Sequence, residues 1–152
     1  MKGYTKLPKK HLYIIILTLG FIIFLLSLEV MMKVKDINMF NNWLKDNKQY
    51  TIANLENADL FNTYISINLS LYFQRIIVPI GLGIHTYLAY VKLRINKLFV
   101  FIWTVLLIGS ILYTVVGLKN LAVFSYMYIG LYIIVIFTVL SLLTVIEKCE
   151  NP

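Results

Sequence analysis

Long apolar runs separated by polar segments extend along this chain, and they predict four membrane-spanning helices. Three runs are clean, at residues 12–32, 98–116 and 121–146. About 20 apolar residues, each rising about 1.5 Å, cross a hydrocarbon core of about 30 Å. The connection before residue 121 is so short that the last two helices are expected to be antiparallel neighbours.

The remaining apolar run, residues 69–91, is the irregular one. It contains polar residues and residues that disturb a helix, namely Gln74, Arg75, Pro79, Gly81, Gly83 and His85. Proline removes one helical hydrogen bond and the two glycines loosen the following turn, which predicts a kink at Pro79, Gly81 and Gly83. We favour a kink that shapes the helix bundle over a broken helix that lines a cavity.

The long outer loop, residues 33–65, separates the first two spans and is the only sizeable polar segment. Within it Asp36 can cap a short amphipathic helix whose apolar residues follow at helical spacing, namely Ile37, Phe40, Trp43 and Leu44. We favour a helix that covers the bundle. The alternative is an outer-surface contact with a partner through Phe40, Trp43 and Leu44.

Composition supports a membrane protein and excludes several other classes. Of the 152 residues, 60% are hydrophobic and 14% are charged, whereas a soluble domain has about 45–50% and about 25%. The apolar content excludes a disordered chain, and the single cysteine excludes a disulfide-stapled fold. We therefore predict a single membrane domain over residues 1–152, an all-α integral membrane four-helix bundle.

Basic residues predict the orientation of the spans. The amino-terminal arm, residues 92–97 and the carboxyl tail together carry more lysine and arginine than the opposite side. Because such residues are retained in the cytoplasm, both termini are expected to be cytoplasmic. The net charge of +7 is then mostly a topology signal and does not imply nucleic acid. Frequent isoleucine, asparagine, lysine and tyrosine indicate an AT-rich genome, hence a bacterial cell (inner) membrane.

Four polar residues in the first two spans form the candidate intramembrane polar site: Glu29, Gln74, Arg75 and His85. A charge at the bilayer centre costs about 2.5–3.5 kcal/mol on insertion scales. Glu29 and Arg75 both lie about 26 Å from the inner boundary, counted at about 1.5 Å per residue. Their shared depth and opposite charge predict an ion pair between the first two spans. For His85, a hydrogen bond between helices is favoured over a ligand role.

No catalytic motif appears, and two histidines with one cysteine make a poor metal site. We therefore expect no catalytic residues, no metal and no cofactor. The preferred hypothesis is a non-enzymatic protein that acts by protein–protein contact, as an accessory subunit or an immunity or defence protein. Its partners would be the lipid bilayer and a membrane protein or a second copy. The alternatives are a small oligomeric channel or transporter and, ranked last, a lipid-modifying enzyme.

Overall fold

Four long apolar helices dominate the fold. The computed structural model describes residues 5–47, 57–116 and 123–150. These residues form α1 (Lys9–Lys35), α2 (Ile37–Asp46), α3 (Asn57–Val91), α4 (Lys97–Val116) and α5 (Val123–Glu150). All but α2 are long and apolar enough to cross a membrane. The predicted all-α architecture with four candidate spans is therefore confirmed.

Buried positions in α1 and α5 recur at alternating intervals of three and four residues. In α1 they include Leu12, Ile15, Leu19, Ile22, Leu26 and Glu29, and in α5 they are Ser125, Tyr128, Tyr132, Val135, Val139, Leu142 and Ile146. This spacing is typical of helices that pack side by side along their length. α1 packs against α3 and α5, and α5 also packs against α4, whereas α3 and α4 contact each other much less. The bundle is consequently least tightly closed between α3 and α4.

The two terminal segments lie at one end of the bundle, here called the terminal end. Thr5 and Ile95 exchange backbone hydrogen bonds, with N···O distances of 3.1 and 2.8 Å. The start of α1 is therefore held against the connection between α3 and α4. Near the same end, His11 Nε2 lies 3.0 Å from Ser141 Oγ of α5. The beginning of α1 and the end of α5 are thus neighbours.

The opposite end carries a small second core, here called the aromatic cap, formed by Phe40, Trp43, Leu44, Leu60, Phe61 and Tyr64. Asp36 caps α2 as expected, because its Oδ1 accepts a hydrogen bond of 2.8 Å from the Asn38 amide. Phe40 is buried, and its ring centroid lies 5.2 Å from that of Phe61. The apolar face of α2 therefore covers α3, which is the favoured arrangement. Partner contact through Phe40, Trp43 and Leu44 stays a prediction.

Several predicted helix boundaries require correction. α1 continues to Lys35 and α3 begins at Asn57, so much of the segment 33–65 is helical and the helix of the second span begins well before residue 69. At about 1.5 Å per residue, the 35 residues of α3 extend about 52 Å, well beyond the hydrocarbon core. The turns of α3 that extend beyond the hydrocarbon core are stabilised by the aromatic cap. Because they contain polar residues, no apolar run in the sequence marks them as part of the helix. α5 likewise continues past residue 146, to Glu150.

The irregular stretch of the second span forms continuous helix. α3 runs through Pro79 without interruption, and the kink stays a prediction. Gly81 has a clear packing role, because a Cβ there would lie 3.3 Å from Cη2 of Trp103 in α4. At Gly83 a Cβ would make only ordinary contact, 3.8 Å from Leu19. Gly81 therefore lets the indole of Trp103 approach the backbone of α3.

Candidate functional site

Glu29 is the centre of a group of buried and partly buried polar side chains, here called the charge cluster: Glu29, Lys33, Arg75 and Tyr128. The Tyr128 hydroxyl donates a hydrogen bond of 2.5 Å to Glu29 Oε2, and Arg75 Nη1 lies 3.4 Å from the same oxygen. Lys33 Nζ lies 2.5 Å from Oε1. The predicted Glu29–Arg75 ion pair is therefore present. The cluster joins α1, α3 and α5.

Local helix geometry explains why these groups meet at Glu29. Glu29 continues the buried stripe of α1, and its residue is only 6% exposed. Lys33 follows one turn later, the spacing at which side chains on a helix are neighbours, and its backbone carbonyl accepts a 2.9 Å hydrogen bond from the Tyr64 hydroxyl. An ionised carboxylate accepts about four hydrogen bonds. Three donors from three helices thus compensate much of the cost of burying this charge.

Arg75 is less completely satisfied than Glu29. Its side chain is 10% exposed, and the 3.4 Å contact with Glu29 is long for a charge-assisted hydrogen bond. Its Nε is buried and has no hydrogen-bond partner among the described residues. The guanidinium group carries five N–H donors. The cluster contains two cations and one carboxylate, so Arg75 keeps positive charge and donor capacity beyond what Glu29 uses.

A cleft of about 400 Å³ lies beside Arg75, where α3 and α4 separate. We call it the lateral cleft, and it is lined by Gln74, Arg75, Val78, Val105, Leu106, Gly109, Ser110, Tyr113, Thr114 and Tyr132. Ligand pockets have volumes of about 300–1,000 Å³ and combine apolar walls with a few polar groups. Leu106 and Tyr113 are each 42% exposed, so the rim lies on the surface of the bundle. In a membrane this surface would face lipid.

Two features of the lateral cleft bear on access. The Tyr113 hydroxyl donates a 2.5 Å hydrogen bond to Gln74 Oε1, joining α3 and α4 at the surface. At Gly109 a Cβ would meet no heavy atom within 4 Å, so the absence of a side chain there leaves open space. The cleft is thus bordered by the hydrogen bond between Tyr113 and Gln74 and by the open helix surface at Gly109.

The depth of the site follows from its position in α1. Glu29 lies six residues before the end of α1 at Lys35, which is about 9 Å at about 1.5 Å per residue. Arg75 contacts Glu29, so both the charge cluster and the lateral cleft lie in the half of the bundle next to the aromatic cap. A lipid headgroup of the leaflet on that side would be within reach of a long arginine side chain.

The four predicted polar residues do not form one site. Glu29 and Arg75 meet in the charge cluster, and Gln74 lies at the surface of the lateral cleft. His85 lies three turns further along α3, where its Nδ1 accepts a 2.9 Å hydrogen bond from Trp103 Nε1. Its ring is also 4.9 Å from that of Phe99, centroid to centroid. The helix–helix hydrogen bond favoured for His85 is therefore present.

The contributions of Tyr128, Tyr132 and Trp103 were not predicted from the sequence. Aromatic residues of membrane spans are commonly interfacial, so their presence alone does not indicate a place in the core. A usable signal was the spacing of α5, where both tyrosines continue the buried stripe of Val135, Val139 and Leu142. Lys33 was also missed, since it was counted with the outer loop. Its position four residues after Glu29 was the available signal.

Replacing Tyr128 by phenylalanine removes one donor from the buried Glu29 carboxylate. Hydrogen bonds between membrane helices contribute about 0.6 kcal/mol on average and up to about 1.7, and bonds to charged groups are the stronger ones. We expect Tyr128→Phe to lower the free energy of unfolding by about 1–2 kcal/mol, measured by titration with denaturing detergent. Tyr126→Phe is the matched control, because Tyr126 is 62% exposed. Equal losses in the two variants would contradict a special role for Tyr128.

The described residues contain no group of three or more histidine, cysteine, aspartate or glutamate side chains that could hold a metal ion. Neither a protein-family model, nor a curated protein, nor a solved structure matches the chain.

Proposed function

We propose that this chain is a non-enzymatic multi-pass membrane protein that acts by contact with another membrane component at the lateral cleft. The observation that carries the proposal is the cleft itself, a ligand-sized space on the flank of the bundle with a buried arginine in its wall. An accessory subunit and an immunity-type protein are two kinds of protein that would act in this way. Both act by occupying or presenting a surface, which needs no catalytic group.

The arrangement of polar groups supports binding over transport. Towards the terminal end from the charge cluster, the described part of the core consists mostly of apolar side chains, among them Leu19, Ile22, Val135 and Val139, and its buried polar residues are two threonines, Thr18 and Thr86. Gln74 and His85 are bonded to aromatic residues of α4 and do not continue from Arg75 as a polar path. A channel or transporter would therefore need a path between several chains. The binding proposal needs only the single bundle.

The proposed function can be tested by placing a photo-crosslinking amino acid at the rim of the lateral cleft. Leu106 lines the cleft, whereas Ile133 of α5 is equally exposed, at 42%, and is not part of the lining. We expect a discrete cross-linked product in native membranes from position 106 and none from position 133. The same pattern of products at both positions would overturn the proposal.

We also propose that the protein resides in the cell membrane with both termini in the cytoplasm. This placement is supported by the basic residues near the terminal end, including Lys9, Lys10, Arg94 and Lys148. Cys149 near the end of α5 is exposed and is the only cysteine of the chain. It is therefore a natural reporter of orientation.

In intact cells we expect a membrane-impermeant maleimide to leave Cys149 unlabelled, and labelling to appear only after permeabilisation. Lys45→Cys in a Cys149→Ser background should give the opposite pattern, because Lys45 belongs to α2 at the other end of the bundle. Labelling of Cys149 in intact cells would reverse the proposed orientation.

A further inference from the structure

The unsatisfied state of Arg75 indicates what kind of component the lateral cleft would take. Its Nε has no hydrogen-bond partner among the described residues but is buried, so the donors that Arg75 can present to the cleft are its terminal N–H groups, of which the long contact with Glu29 uses one. Lys33 and Tyr128 already donate to the Glu29 carboxylate. The carboxylate is therefore well compensated without further help from Arg75. The arginine is the member of the cluster with the most donor capacity to offer a ligand.

The side chains around Arg75 favour a ligand with both polar and apolar parts. Gln74, Ser110 and Tyr113 provide neutral polar atoms, whereas Val78, Val105 and Leu106 provide an apolar wall on the lipid-facing flank. Among the residues that the structure describes, no acidic side chain is part of the lining. The cleft therefore combines one cation with apolar walls, which is the complement of an anionic headgroup attached to an acyl chain.

The position of the lateral cleft along the bundle further restricts the class of ligand that it could bind. The lateral cleft lies in the half of the bundle next to the aromatic cap, and its rim residues are exposed where lipid would surround the helices. A lipid can enter such a cleft sideways from its own leaflet. Guanidinium groups match phosphate oxygens with paired hydrogen bonds, which makes arginine well suited to a phosphate headgroup.

We infer that the lateral cleft binds an anionic phospholipid of the leaflet next to the aromatic cap, with the headgroup phosphate at Arg75 and the start of an acyl chain against Val78, Val105 and Leu106. The inference rests on the proposed function, since it names the component that the cleft contacts. Gln74 and Tyr113, which bond to each other across the surface, border the place where the headgroup enters.

The test measures lipid retention by native mass spectrometry of the full chain purified in a neutral detergent. The protein is offered equal amounts of phosphatidylglycerol and phosphatidylcholine with the same acyl chains. We expect wild type to retain one phosphatidylglycerol with a preference of roughly tenfold, because the two lipids share the phosphate but the choline cation of phosphatidylcholine cancels its charge and would lie near the cations of the charge cluster. Protein offered inorganic phosphate alone should show no retained anion, and inorganic phosphate added to the lipid-loaded protein should not displace the lipid.

Three variants assign the binding to the lateral cleft and to Arg75. Gly109→Phe fills the cleft and leaves the Glu29–Arg75 pair intact, so it should abolish retention of the lipid. Gly130→Phe is its matched control, because a Cβ at Gly130 also meets nothing within 4 Å and Gly130 is not in the lining. Arg75→Lys, which keeps the charge but loses the planar fork that matches a phosphate, should weaken retention of both lipids several-fold and leave the preference for phosphatidylglycerol little changed.

The outcomes separate this inference from the proposed function. If wild type retained both lipids equally and Gly109→Phe retained neither, the inferred preference for an anionic headgroup would be overturned. The cleft would then stand as a contact site. Displacement of the lipid by inorganic phosphate would overturn a lipid in favour of a free anion. A protein cross-linked at position 106 with no lipid retained would overturn the lipid in favour of a partner helix. Lipid retention unaffected by Gly109→Phe, with no product specific to position 106, would overturn both proposals.

Discussion

We expect the Glu29→Leu variant to lose about 3–5 kcal/mol of its free energy of unfolding. The loss arises because Arg75, whose side chain is 10% exposed, would remain inside the bundle without its counter-charge. The measurement is a denaturing-detergent titration followed by circular dichroism. Glu147→Leu is the control, because Glu147 is exposed near the end of α5 and should change stability little.

A double-mutant cycle shows whether the loss comes from the unpaired charge. The Glu29→Leu, Arg75→Leu double variant removes both charges, and replacing a buried ion pair by apolar residues is often neutral or stabilising. We therefore expect it to recover most of the loss of the single variant. Additive losses would contradict the ion pair as a coupled unit.

Charge reversal gives an independent test of the same contact. Arg75→Glu should destabilise the protein strongly, because it places two carboxylates together. Adding Glu29→Arg should restore only part of the stability, since the new arginine would lie one turn from Lys33. A complete absence of rescue would count against the pair.

Truncating Trp103 to alanine should produce the second large effect. Trp103 is 8% exposed, packs close to Gly81 and donates a hydrogen bond to His85. Such truncations cost about 3–5 kcal/mol in soluble cores. In a membrane the unfolded helix keeps its apolar residues in lipid, so part of that cost is absent. We expect a loss of about 2–3 kcal/mol in the same titration.

Two further variants separate packing from hydrogen bonding at Trp103. Phe101→Ala is the control for truncation on α4, because Phe101 is 67% exposed, and it should change stability little. Trp103→Phe keeps a ring near Gly81 but removes the donor to His85, so it should cost less than Trp103→Ala. Equal losses for Trp103→Ala and Phe101→Ala would show that α3 and α4 do not depend on this contact.

The sequence was sufficient for the features that depend on local pattern or on depth. Apolar runs identified the four candidate spans, and Asp36 with its following apolar stripe identified α2 and its cap. The depth of Glu29 and Arg75, counted along two helices, predicted their contact. On the helical wheel, Arg75 shares a face of α3 with Pro79, Leu82 and Thr86. The structure buries the last three of these.

Features that depend on which helices become neighbours could not be predicted in the same way. Tyr128 reaches Glu29 across 99 residues, and depth alone does not indicate that α5 would pack against α1. The first turns of α3 are helical because Leu60 and Tyr64 pack against Phe40, a contact between two segments that are both polar on average. The lateral cleft exists because α3 and α4 diverge, and hydrophobic spacing carries no information on that separation.

The order in which the donors of Glu29 occur along the chain has a consequence for biosynthesis. Chains are synthesised from the amino terminus, so Glu29 emerges with Lys33 only one turn away and its charge is compensated within α1 itself. Arg75 follows 46 residues after Glu29, and Tyr128 follows 99 residues after it. α3 and α5, as they are inserted, thus each add a donor to a carboxylate already in place. A nascent chain that stops before α5 retains an incompletely bonded acid in the membrane, a chemical mark by which a quality-control protease could distinguish it from the finished protein.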